Sequence, residues 1–66
     1  MDEQIATIVA RLATPLTSIR GYTGLLSGGE FGPLSQEQEE ALQIIARNIE
    51  RLSVVLRELD ALAKEK

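Results

Sequence analysis

Thr14, Thr17 and Ser18, three residues with hydroxyl groups, crowd around Pro15. Beside a proline in a helix, such hydroxyls usually satisfy backbone carbonyls, and that is the role expected of all three. The 66-residue chain has no histidine and no cysteine, so disulfides and the commonest metal sites are excluded. No metal and no cofactor is expected. Asn48 lies beside an apolar seam, where a single polar residue commonly sets helix register. Arg47 and Arg51 are expected on a solvated face.

The elements that position these residues are two helices. From Ile5 the apolar positions of the first half run Ile5, Ile8, Leu12, Pro15, Ile19, Tyr22, Leu26. The steps of three and four predict a helix over about 3–27 packed along a seam. Asp2 and Glu3 suit its positive end. Pro15 removes one backbone donor, so a bend is expected near residues 11–15. Gly21 and Gly24 each weaken the last turns by up to ~1 kcal/mol relative to alanine. Three glycines and a proline within Ser27–Leu34 mark a loop, about 28–34. Phe31 and Leu34 are expected to fold back onto the end of the core. Ser35 and Gln38 fit a capping box, opening a second helix over about 35–64. Its apolar positions are Leu42, Ile45, Ile49, Leu52, Leu56, Leu59 and Ala63. Asp60 and Lys64 form an i,i+4 pair, and Lys64 and Lys66 suit the helix C-terminus.

The residues flanking these seams are mostly small or apolar: Val9, Leu16 and Leu25, then Ala41, Ala46, Asn48, Ser53, Val55, Asp60 and Leu62. A stripe that wide needs more than one neighbour. The fold expected is all-α: a helical hairpin that homodimerises into a four-helix bundle, as one domain over 1–66. Its expected dimer core is Ile5, Ile8, Leu12, Ile19, Leu26, Leu42, Ile45, Ile49, Leu52, Leu56 and Leu59. The small size also points to association, since so short a chain buries little surface alone. The formal net charge of -3 and pI of about 4.8, with scattered basic residues, argue against nucleic acid. No apolar run approaches the ~20 residues of a membrane span, and Met1-Asp2-Glu3 does not begin a signal peptide. A cytoplasmic piece of a larger protein is the expected setting.

The run V-A-R-L-A-T-P-L-T-S-I-R-G-Y over residues 9–22 resembles the phosphoacceptor box of sensor histidine kinases, H-E-L-R-T-P-L-T-x-I-x-G-Y. Leu12, Thr14, Pro15, Leu16, Thr17, Ile19, Gly21 and Tyr22 fit that pattern. The later Ile45, Asn48, Arg51 and Leu52 are similar to the second half of the same dimerisation and histidine-phosphotransfer domain. Aligned on Thr14-Pro15-Leu16, the family places its reactive histidine at position 10, where this chain has Ala10. Arg11 replaces the acidic residue that follows, and Ala13 replaces an arginine. The resemblance implies a homodimer that relays an upstream signal, with an adjoining kinase-like domain or a response regulator as partner. It also implies a degenerate acceptor site, Ala10 with Arg11, Thr14 and Pro15 beside it, and no catalytic residue in this chain. Alanine offers no nucleophile, and Arg11 reverses the charge that would assist proton transfer. Two other roles stay open: part of an active kinase or phosphatase with its histidine elsewhere in the parent protein, and a plain oligomerisation bundle. Ala10, Ala13, Thr14, Thr17, Gly21 and Gly24 make the outer face of the first helix small and nearly uncharged, which suits a docking partner. The heptad phase places Ala10 on the solvent side, away from the Ile5–Leu12–Ile19 seam.

Overall fold

The computed structural model describes residues 2–65. Two helices, α1 (Glu3–Ser27) and α2 (Gln36–Lys64), pack against each other as an antiparallel hairpin. The rod measures 49 × 16 × 12 Å. No strand occurs among the described residues.

Each helix starts on a side-chain cap. The Asp2 carboxylate accepts from the N–H groups of Gln4 and Ile5 at 3.0 and 3.2 Å. The Asp2 N–H donates to the Ala63 carbonyl at 2.9 Å, which ties the start of α1 to the end of α2. Ser35 and Gln38 form the reciprocal capping box, with bonds of 3.1 and 2.9 Å. Asp60 and Lys64 pair at 2.9 Å; Lys66 lies outside the described residues. α1 continues through Pro15 as one helix.

The turn is set by glycine. Gly29 and Gly32 hold φ of 79° and 118°, a region that side-chain-bearing residues rarely adopt. The Glu30 N–H returns to the Leu25 carbonyl at 3.1 Å and the Gly29 N–H to the Leu26 carbonyl at 3.2 Å. Leu34 folds back and is half-buried beside Leu26 and Ile45. Phe31 does not: it is 66% exposed, contrary to the expectation that it closes the core. The tight turn holds it between the two positive-φ glycines, beyond the end of α1.

The hairpin's own core is narrow. Leu16, Ile49 and Leu56 are buried together, with Val9 packed against them. Leu42, Ala63 and the polar Ser53 are also buried. The centre of the α1 contact is therefore Leu16, not the Leu12–Ile19 seam. Ile8, Leu12, Ile19, Tyr22 and Leu26 remain exposed, as do Ile45, Leu52, Val55 and Leu62. Ile5 and Leu59 are half-buried. The physical reason is the width of the stripe. The partner helix within the hairpin covers one edge of it, and the other edge is left bare.

Candidate functional site

The α1 turn around Pro15 exposes Ala10, Arg11, Thr14 and Pro15 to solvent. Ala10 presents only a methyl group. Its carbonyl lies 3.4 Å from the Thr14 hydroxyl, which donates back along the helix. The Thr17 hydroxyl does the same to the Ala13 carbonyl at 2.9 Å. These two hydroxyls thus serve the backbone on either side of the proline, whose missing N–H leaves the ladder one bond short there, whereas Ser18 makes no such bond among the described residues, contrary to expectation. Arg11 forms no ion pair with an acidic side chain among the described residues.

The small residues do not all lie on the outer face. Ala13 turns inward and is half-buried. With Thr17 it borders a cleft between the helices, facing Ser53, Leu56 and Arg57. Gly24 borders a neighbouring cleft with Ala46 and Glu50. The reason is the same rotation of α1 that centres the contact on Leu16: three residues before it, Ala13 falls near the inter-helix line. Beyond their own helical turn, Gly21 and Gly24 have nothing within 4 Å of where a Cβ would stand. Ala10, Thr14 and Gly21 are exposed.

Across this side of the hairpin runs a polar link that the apolar pattern did not reveal. The Arg20 guanidinium donates to the Ser53 hydroxyl and lies 3.4 Å from the Glu50 carboxylate. The Ser53 hydroxyl donates to the Ile49 carbonyl at 3.0 Å. A signal was available: Arg20 follows Leu16 by four residues, and Ser53 follows Ile49 by four, so each sits one turn from a core residue. Glu50 and Arg20 are well exposed, so their ion pair contributes little stability.

The two sides of the hairpin therefore differ. One side carries Ala13, Thr17 and Gly24 with Ala46, Glu50 and Ser53. The other carries the bare apolar edges of both helices, joined where Leu26 and Ile45 border one cleft with Leu34 and Ala41. No cluster of metal-ligating side chains occurs among the described residues. No helix among them is long and apolar enough to cross a membrane. No curated protein and no solved structure matches the chain. A family model does: that of the His Kinase A (phospho-acceptor) domain, over residues 1–66. With the hairpin, the Thr14-Pro15 turn and a match over the whole chain, this protein belongs to the His Kinase A (phospho-acceptor) domain family.

Proposed function

We propose that the chain dimerises and relays a conformational signal in a two-component sensor, without accepting a phosphoryl group itself. The observation that carries this reading is Ala10. It stands exposed, with no nucleophilic atom, where the motif resemblance puts the family's acceptor, and the Thr14 hydroxyl one turn on is turned back to the backbone. Dimerisation is supported by the bare edge of the apolar stripe. Five hydrophobic residues are buried among the described residues of the single hairpin, while Ile8, Leu12, Ile19, Ile45 and Leu52 stay in solvent. Exposed apolar area of this extent marks an interaction surface. A two-fold pairing of hairpins covers it and closes a four-helix bundle. The face with Ala10, Thr14, Thr17, Gly21 and Gly24 stays open for a kinase-like domain or a response regulator. The setting we assign is cytoplasmic. Pro15 favours a relay over a plain bundle, since a passive staple gains nothing from an internal proline.

The test is phosphorylation by a related kinase catalytic domain with labelled ATP. The wild-type chain is expected to take up no acid-labile phosphate. Ala10→His alone is expected to recover little, because Arg11 still lacks the acidic function. Ala10→His with Arg11→Glu is expected to recover more. Acid-labile phosphate on the wild-type chain overturns the reading, and equal activity of the two variants removes Arg11 from it.

A further inference from the structure

The bare apolar strip is made of Ile8, Leu12, Pro15, Ile19, Tyr22 and Leu26 on α1, with Ala41, Ile45, Asn48, Leu52, Val55 and Leu62 on α2 and the half-buried Leu59 between the last two. Steps of three and four keep each set on one side of its helix. Two side chains in the strip can hydrogen-bond, Tyr22 and Asn48. The hairpin holds them at one height. Arg20 reaches Ser53 and Glu50, and Thr23 and Gly24 border a cleft with Ala46 and Ile49. Position 22 is therefore level with Asn48.

Neither group is used up within the chain. Tyr22 is 62% exposed, and its hydroxyl has no hydrogen-bond partner among the described residues. The Asn48 amide donates to the Ile44 carbonyl at 3.0 Å, which leaves its Oδ1 free to accept. When a second hairpin covers the strip about a two-fold axis along the rod, heights are preserved. Tyr22 of one copy then lies in the same layer as the partner subunit's Asn48.

We infer that Tyr22 and Asn48 form a polar layer between two copies of this chain, the Tyr22 hydroxyl donating to the partner subunit's Asn48, and that this layer fixes the register of pairing. The inference rests on the dimer proposed above. The aliphatic positions alone are a poor guide to register. A slip of one heptad still sets Ile, Leu and Val against one another. The same slip brings Tyr22 opposite Ala41 or Val55 and leaves both polar groups buried without partners, which is strongly disfavoured.

The experiment is a double-mutant cycle on the dimer dissociation constant, read by sedimentation equilibrium of the full chain. Tyr22→Phe strands the Asn48 amide and is expected to weaken the dimer about tenfold. Asn48→Leu strands the Tyr22 hydroxyl, so any gain from the added apolar group is expected to be smaller in the wild-type background than in the Tyr22→Phe background. The double variant is expected to bind at least as tightly as wild type, because replacing both partners removes the unsatisfied group. Should Asn48→Leu fail to fold, Asn48→Ala takes its place with the same sign of coupling expected. A wild-type dimer whose two substitutions act additively overturns the polar layer and leaves the dimer standing. A folded wild-type monomer overturns both.

Discussion

The proposed role turns on Ala10. The side chain ends at Cβ, and the hydroxyls nearby are tied back to carbonyls of their own helix. The absence of a histidine is read directly from the sequence. The orientation of Ala13 was not legible, because a helical phase carried across Pro15 cannot fix which residue meets α2. Gly21 and Gly24 invite a test on the same side. Both lie inside α1, where glycine costs up to about 1 kcal/mol relative to alanine, and neither has an atom from outside its own helical turn near the place of a Cβ. Gly21→Ala and Gly24→Ala are each expected to stabilise the isolated domain by about 0.5–1 kcal/mol. Urea unfolding checks this through a raised midpoint with an unchanged slope. If either substitution destabilises the domain, another body already closes on that face. If both stabilise it while weakening capture of a cognate regulator or kinase domain, the glycines are there to admit a partner's backbone.

The helices themselves were largely written in the sequence. Ser35 and Gln38 announced the start of α2, and the steps of three and four announced both apolar sides. The centre of the hairpin contact was less legible. Periodicity shows where a stripe lies, but not which neighbour covers each of its edges, so Leu16 reads as a flank until α2 is seen against it. The Arg20–Ser53 link was hidden for a related reason: both residues are polar and neither interrupts the apolar pattern. Pro15 poses the question that belongs to this scale. α1 runs through it, yet the proline leaves the Arg11 carbonyl without its helical donor, at a cost of ~3 kcal/mol or more where a bond is broken. A ladder weakened at one point can hold two bends of similar energy, and an upstream input can bias between them. Pro15→Ala is therefore expected to raise the melting temperature of the isolated domain and to hold a full-length or chimeric receptor in one output state. Thermal unfolding paired with the receptor's response measures both. A stabilised variant that still responds normally removes signalling from the account of the proline.

For the whole molecule, the decisive quantity is how much apolar surface one hairpin leaves uncovered. Leu52 separates the single chain from the assembly. In the hairpin it is 52% exposed, while Ile49, one turn away, is 5% exposed. If the hairpin were the complete folded unit, Leu52→Asp would change an exposed residue and shift stability by no more than about 0.5 kcal/mol. In a two-fold bundle the same position lies in the interface, and an unpaired carboxylate there costs about 3–5 kcal/mol. Ile49→Asp damages the core in either case, so it serves as the control. The expected outcome is that Leu52→Asp dissociates and unfolds the chain together, nearly as severely as Ile49→Asp. The wild-type melting temperature is also expected to rise with protein concentration, because mass action links folding to pairing. Circular dichroism across a concentration series, with sedimentation equilibrium at the same concentrations, reads both effects. A Leu52→Asp chain that stays helical and monomeric, with a melting temperature independent of concentration in the wild type, would mean that one hairpin folds alone and that its apolar edge serves a different partner.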